Sequence, residues 1–209
     1  MRFSTLGLLL MACAHRTHGG AEHRFDDAET WAQAFEDPSR DEWQKPDQVI
    51  AALGLTPTMK VADIGAATGY FPVRFAKHVN RVYGVDIESA MVAYLQQRAE
   101  REGLANLTAV LATSDDAKIP EPVDLITIVD TTHHLQNRPT YFAALKRSLT
   151  PSGRVAIIDF KPGSKRGPPD EAKISAENVV AELRQAGFAL EARHEFLPDQ
   201  YFLIFKQGS

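Results

Sequence analysis

The sequence predicts a doubly wound α/β fold whose mostly parallel sheet carries an antiparallel hairpin at its C-terminal end. Short apolar, β-branched runs alternate with segments of helical periodicity, which is typical of strands joined by crossover helices. Several of these runs lack polar alternation, as expected for strands buried on both faces. After Gly187 two strands follow that are joined by only four residues, and so short a connection requires an antiparallel hairpin.

The predicted strands are the short β-branched runs at residues 60–64, 81–86, 107–111, 123–130 and 154–160, followed by the hairpin strands 188–196 and 201–206. A first helix is predicted over 26–37 from aromatic residues at helical spacing, and a second over 46–55 from Pro46 at its start and Gly54 at its end. A third follows the glycine turn over 69–77. Apolar stripes predict the remaining helices, at 88–102, 139–149 and 175–186. Residues 162–174 are rich in Pro and Gly and are predicted to form a long functional loop.

Composition limits the classes of protein that this chain can represent. Its 209 residues, 44% of them hydrophobic, are enough for one domain with a sizeable core. A net charge of −4 argues against a nucleic-acid partner. The single Cys excludes an intramolecular disulfide scaffold and a Cys-cluster zinc site, and no metal site is predicted. No apolar run reaches the roughly 20 residues that a membrane-spanning helix needs.

The first 24 residues differ in character from the remainder. Residues 1–13 have a basic residue, a short apolar core and then Cys13, an order that resembles a bacterial lipoprotein signal. This reading predicts a membrane tether through lipidated Cys13, on the periplasmic side, and the alternative is a cytoplasmic protein with an N-terminal extension. Residues 14–24 read as a flexible tether, so the predicted domain covers residues 25–209.

A glycine turn follows the first strand, in the sequence VADIGAATGYF at residues 61–71. The turn needs small residues at Gly65, Ala67 and Gly69, and we expect a ligand to approach its backbone closely. The spacing differs from the Gly-x-Gly-x-x-Gly fingerprint of nicotinamide-binding proteins. Asp63, two residues before the turn, suits a ligand with a positive amine better than a pyrophosphate.

Acidic residues also follow later strands of the predicted sheet. Asp86 ends the second strand, Asp115 follows the third, and Asp130 ends the fourth. With Asp63 they lie where the carboxyl ends of the strands meet, which is where ligands bind in open α/β sheets. An acid at the position of Asp86 typically accepts hydrogen bonds from ribose hydroxyls.

These motifs resemble those of the class I S-adenosylmethionine-dependent methyltransferases, a family with a Rossmann-like fold. The resemblance covers about residues 45–206 and extends to VYGVDIE (82–88), SDDAKIP (114–120), VDLITIVDTTHHL (123–135) and LKRSLTPSGRVAIIDF (145–160). It implies S-adenosyl-L-methionine as the cofactor and a small-molecule methyl acceptor as the partner.

The resemblance also implies roles for individual residues. Asp63 and Gly65 would face the methionine part of the cofactor, and Ala67 and Gly69 would also contact the cofactor. Asp86 would face the ribose hydroxyls, and Asp130 would lie near the methionine amine and the transferring methyl group. Ile87 would pack on the adenine, and Asp115 would accept a hydrogen bond from the adenine's exocyclic amine. Ser114 would also contact the cofactor. Ala67 stands where the family usually has Gly, so we expect less room beside the cofactor.

Two adjacent histidines, His133 and His134, follow the fourth strand and are the candidate catalytic bases, because histidine exchanges protons near neutral pH. Their alternative role is to cap or pack the next helix. Trp31, Phe35 and Trp43 either line an acceptor pocket or dock the N-terminal segment on the sheet. Two alternative functions stay open, a non-catalytic binder of S-adenosylmethionine or S-adenosylhomocysteine and a nicotinamide-dependent oxidoreductase. The sequence identifies neither the acceptor nor the oligomeric state.

Overall fold

A computed structural model describes residues 28–208, in which a mixed sheet is covered by helices on both faces. The strands are β1 (Lys60–Ile64), β2 (Arg81–Asp86), β3 (Leu107–Leu111), β4 (Val123–Val129), β5 (Leu149–Phe160), β6 (Phe188–His194) and β7 (Gln200–Gln207). The helices are α1 (Ala28–Phe35), α2 (Arg40–Gln44), α3 (Pro46–Leu53), α4 (Pro72–Phe75), α5 (Ser89–Arg101), α6 (Arg138–Leu145) and α7 (Ala176–Gln185). Residues 132–134, 146–148 and 170–172 form single 3₁₀ turns.

The strand order is β3-β2-β1-β4-β5-β7-β6, and the predicted fold class is confirmed. Strands β1 to β5 run parallel, whereas β7 is antiparallel to both β5 and β6. The chain moves outward from β1 to β3 and then returns to place β4 on the other side of β1. The carboxyl ends of β1 and β4 therefore flank the point where the strand order reverses, which is where ligands bind in such sheets.

Two apolar layers sandwich the sheet, because successive side chains of a buried strand point to opposite faces. In β1, Val61 packs into the layer formed with α3, α4 and α5, whereas Ala62 and Ile64 pack into the layer with α6 and α7. Both layers are closely filled by Leu, Ile, Val and Phe. The rigid sheet thus holds the strand ends, and the side chains on them, in fixed relative positions.

Several element boundaries differ from the sequence predictions. The helix predicted over 69–77 is reduced to Pro72–Phe75, because Gly69 has a φ of +99° and Pro72 is the first helical residue. The short helix α2 was not predicted, and β5 begins at Leu149, five residues earlier than expected. Ser175 caps α7 as predicted, since its side chain accepts the backbone N–H of Asn178 at 3.2 Å.

The signal-like segment with Cys13, the tether and the start of the predicted first helix lie outside the described residues. The division into residues 1–24 and 25–209 therefore stays a prediction. Within residues 28–208, none of the helices combines the length and the apolar character that crossing a bilayer requires.

Candidate active site

Two carboxylates, one buried and one half-buried, lie at the point where the strand order reverses. Asp63 lies near the end of β1, only 3% exposed, and its Oδ1 accepts a hydrogen bond of 2.5 Å from Oγ1 of Thr127 on β4. Asp130 follows β4 directly and has a φ of +53°, which few residues other than glycine adopt. Burial raises the pKa of both carboxyls to about 7. The two side chains thus form an acidic site suited to a cationic group.

Asp130 is held by two residues that are distant from it in the sequence. Nη2 of Arg40, on α2, lies 3.2 Å from Oδ2 of Asp130, and the amide of Gln200 donates to the other carboxylate oxygen. Gln200 in turn accepts a hydrogen bond of 2.9 Å from the amide of Gln44. Sequence reasoning missed Arg40, Gln44 and Gln200, because no local motif connects these residues to the end of β4.

The glycine turn adopts left-handed conformations at alternate residues, with φ values of +76° at Gly65, +45° at Ala67 and +99° at Gly69. A Cβ atom on Gly65 would lie 2.1 Å from Oγ1 of Thr131, and one on Gly69 would lie 2.4 Å from Leu95. The sequence predicts small residues here because a ligand approaches the backbone closely. At Gly65 and Gly69, packing against the protein's own side chains gives a further reason for glycine, and the close approach of a ligand stays a prediction.

Asp86 connects the end of β2 to the glycine turn. Its Oδ2 accepts a hydrogen bond of 2.8 Å from the backbone N–H of Ala67, and its Oδ1 accepts one of 3.0 Å from the backbone N–H of Glu88. Burial raises the pKa of Asp86, against the effect of these hydrogen bonds. Each carboxylate oxygen has a second lone pair, so Asp86 can still accept two hydroxyl groups from a ligand.

Exposed apolar side chains flank Asp86. Ile87 is 58% exposed, and Leu111, which pairs with Asp86 across β2 and β3, is 50% exposed. Ser114 and Asp115 lie exposed on the loop after β3, where Asp115 accepts a hydrogen bond of 2.8 Å from Thr113. Leu111 was not among the predicted site residues, although its position opposite Asp86 follows from the parallel pairing of the two strands.

The two candidate histidines lie in different environments. Nδ1 of His133 lies 3.0 Å from Oδ1 and 3.1 Å from Oδ2 of Asp159, near the end of β5, whereas His134 is exposed. The side chains of His133 and Asp159 are only 7% and 4% exposed. The two imidazole rings are 4.2 Å apart, centroid to centroid. Of the two, His133 is the one whose ring is oriented by a buried carboxylate.

The N-terminal segment docks over this edge of the sheet. Asp41 of α2 accepts a hydrogen bond of 2.5 Å from the hydroxyl of Tyr70 and pairs with Arg74 at 3.0 Å. Trp43 packs against Phe160 at 5.9 Å between ring centroids. These contacts favour docking as the role of Trp43. Trp31 stacks on Phe35 at 5.5 Å within α1.

Comparisons with known proteins agree with this architecture. A family model described as a methyltransferase domain matches residues 61–153. The chain is 29% identical to the solved structure of a SAM-dependent methyltransferase from Aquifex aeolicus, covering 85% of this chain and 97% of that one with a TM-score of 0.79. It is also 29% identical over 117 residues to the ubiquinone/menaquinone biosynthesis C-methyltransferase UbiE of Cupriavidus taiwanensis.

The match to that C-methyltransferase covers 53% of this chain and 47% of that protein. Phosphoethanolamine N-methyltransferase 3 of Arabidopsis thaliana is 28% identical over 172 residues, which are 77% of this chain and 34% of that protein. The chain therefore spans about half, or less, of the length of the curated relatives it matches.

Proposed function

Since the chain belongs to the class I S-adenosylmethionine-dependent methyltransferases, we propose that it methylates a small-molecule acceptor and that His133 accepts the acceptor's proton. The observation that carries the second part is the buried Asp159–His133 pair beside the acidic site. The two relatives named above methylate carbon in one case and nitrogen in the other. Hence the proposal leaves the acceptor atom open and specifies only that it must lose a proton.

The residues at the edge of the sheet fit S-adenosylmethionine by their chemistry. Asp86 has the free lone pairs to accept both ribose hydroxyls. The exposed side chains of Ile87 and Leu111 can cover the apolar faces of the adenine. This contact would also remove both side chains from water. Asp63 and Asp130 provide negative charge for the methionine amine.

Unpartnered buried hydroxyls also indicate that the site takes a polar ligand. Among the described residues, Thr68 in the glycine turn and Thr132 after β4 each have a fully buried hydroxyl with no hydrogen-bond partner. An unpaired buried hydroxyl lowers stability by about 1–3 kcal/mol, so such groups in folded proteins usually meet a ligand or an ordered water. Both threonines lie in the loops that follow β1 and β4, the strands that flank the point where the order reverses.

When bound, S-adenosylmethionine supplies an electrophilic methyl group and leaves as a neutral thioether. The chain's own residues must hold the acceptor against that group, exclude water and remove a proton. Since Nδ1 of His133 donates to Asp159, its Nε2 carries the free lone pair. With the cofactor bound, Nε2 would take up the proton that the acceptor atom loses on methylation. The carboxylate of Asp159 then stabilises the imidazolium.

Transfer of a labelled methyl group into a metabolite extract tests this function. We expect the wild type to label one or a few small molecules, and the His133→Gln variant to lose most of this activity. His134→Gln is the matched control and should retain it, because its ring is exposed and lies outside the buried pair. If the wild type binds S-adenosylmethionine but transfers no label into any extract, the chain is a non-catalytic binder and the proposal is wrong.

A further inference from the structure

The acidic site contains a basic side chain whose purpose the proposed function leaves unexplained. Arg40 projects from α2 to Asp130, with its side chain only 15% exposed. Burial raises the pKa of Asp63 and Asp130, and the positive charge of Arg40 opposes this shift at both carboxyls. The site thus presents two acids and a cation, which together complement a ligand end that carries both an amine and a carboxylate.

The position of Arg40 is fixed by contacts from three directions. Its Nη1 donates to the backbone oxygen of Phe35 at 3.0 Å, and its Nε donates to Oε1 of Gln44 at 3.2 Å. Its guanidinium carbon lies 4.0 Å from the centre of the Tyr70 ring. A guanidinium held in this way needs little further ordering to bind a ligand, which favours affinity.

Arg40 also has hydrogen-bonding capacity to spare. A guanidinium has five N–H donors, and within residues 28–208 the partners Phe35, Gln44 and Asp130 occupy three of those on Arg40. The other arginines at this edge are engaged with acids of their own, Arg74 with Asp41 and Arg98 with Glu102. Among the residues that the structure describes, Arg40 is thus the cation that combines burial in the acidic site with free donors.

We propose that Arg40 binds the carboxylate of the cofactor's methionine end, while Asp63 and Asp130 bind its amine. This inference rests on the proposed function, because it assumes that S-adenosylmethionine occupies the site. A forked guanidinium suits a planar carboxylate, since two parallel N–H groups can each contact one oxygen. Arg40 belongs to the N-terminal segment, so cofactor binding also depends on the docking of α2.

The docking contacts explain how a distant segment can contribute a ligand with a fixed geometry. The carboxylate of Asp41 accepts hydrogen bonds from Tyr70 and Arg74. Nζ of Lys45 donates a hydrogen bond of 2.9 Å to the backbone oxygen of Phe196. Gln44 is fully buried against Gln200. These contacts all lie within five residues after Arg40, and they connect α2 and the residue that follows it to the sheet edge at three separate points.

Calorimetry with two ligands tests the inference without measuring catalysis. Decarboxylated S-adenosylmethionine retains the amine but lacks the carboxylate that Arg40 would bind. We expect the wild type to bind S-adenosylmethionine about tenfold to a hundredfold more tightly than the decarboxylated compound. Arg40→Met should abolish this preference and leave the affinity for the decarboxylated compound unchanged or higher. Arg166→Met is the matched control. The guanidinium carbons of Arg40 and Arg166 lie 5.8 Å and 5.2 Å from the centre of the Trp43 ring, but Arg166 pairs with Asp199 instead of Asp130. It should keep the full preference.

Each outcome bears on a different claim. If the wild type binds both compounds equally, or if Arg40→Met retains the preference, the inference is wrong although the proposed function stands. If the wild type binds neither compound, the proposed function itself fails. The measurement on the wild type requires no substitution, so a variant that fails to fold does not prevent the test.

Discussion

Nδ1 of His133 lies 3.0 Å from Oδ1 of Asp159, and this contact determines which ring nitrogen can accept a proton. Asp159→Asn should keep the side chain's shape but favour the opposite tautomer, in which Nδ1 is the acceptor. We expect methyl transfer to fall by about a hundredfold to ten-thousandfold, which is the usual contribution of a general base. Initial rates of labelled-methyl transfer measure this effect.

The affinity for S-adenosylhomocysteine is the control for Asp159→Asn. It should stay within about twofold of the wild-type value, because the change affects the proton and not the cofactor contacts. Asp159 also accepts a hydrogen bond of 2.8 Å from the backbone N–H of Phe160, and the oxygen of an asparagine side chain can keep this hydrogen bond. Unchanged transfer rates in the variant would show that His133 does not act as the base.

Asp86 is expected to contribute to both the cofactor site and the glycine turn. Asp86→Ala removes the acceptor for the ribose hydroxyls as well as for the N–H groups of Ala67 and Glu88. Loss of hydrogen bonds to a charged group costs about 1.5–3 kcal/mol, so the affinity for S-adenosylhomocysteine should fall about tenfold to a hundredfold. Asp116→Ala serves as the control, since Asp116 pairs instead with Arg147 at 2.8 Å. Equal affinities for the wild type and Asp86→Ala would exclude the ribose role.

Ala67 adopts a φ of +45°, a conformation that glycine takes without strain. Ala67→Gly should therefore leave the free energy of unfolding unchanged or raise it by up to about 1 kcal/mol, despite the greater freedom of glycine in the unfolded chain. The comparison variant is Ala66→Gly, because Ala66 is buried and lies outside the left-handed region. This substitution should lower the free energy of unfolding by about 0.5–1 kcal/mol. Thermal or denaturant unfolding of both variants checks the sign. If Ala67→Gly lowered the free energy of unfolding more than Ala66→Gly does, this explanation of the turn would be contradicted.

The raised pKa values of Asp63 and Asp130 predict how stability depends on pH. In the unfolded chain both carboxyls lose their protons near pH 4, whereas in the folded protein burial raises each pKa to about 7. Between these values the folded state binds more protons than the unfolded state. The contribution of these groups to the free energy of unfolding therefore falls as the pH rises from about 4 to about 7.

Thermal unfolding at several pH values measures this dependence. The melting temperature should be higher near pH 5 than near pH 8, and Asp130→Asn should reduce the difference, because an amide does not titrate. Asp116→Asn is the control, because a hydrogen bond from the backbone N–H of Lys118 lowers the pKa of the Asp116 carboxyl. This variant should keep the wild-type dependence of the melting temperature on pH above about pH 5. A melting temperature that rises steadily to pH 8 would contradict the prediction.

Much of the fold follows from local sequence signals. The apolar runs locate β1, β2 and β3 to the residue, because strands buried on both faces have clear polar boundaries. The acids at the strand ends could be recognised because parallel strands bring their carboxyl ends to one edge. The helix after the glycine turn was predicted too long, since the apolar residues there pack without helical geometry around Gly69 and Pro72.

The part of the site that the sequence did not reveal depends on long-range contacts. Arg40 and Gln200 meet at Asp130 from positions 90 and 70 residues away. Asp159 lies at the end of a strand, like the predicted acids, but its position next to His133 depends on the pairing of β4 with β5. Docking of the N-terminal segment brings Arg40 to the site, and no periodicity or motif in that segment indicates this contact.

Calorimetric titration of the wild type with S-adenosylhomocysteine and, separately, with NAD shows whether the acidic edge of the sheet binds S-adenosylmethionine. We expect saturable binding of one S-adenosylhomocysteine per chain and no heat of binding with NAD. Binding of NAD without binding of S-adenosylhomocysteine would contradict this expectation and favour the oxidoreductase alternative.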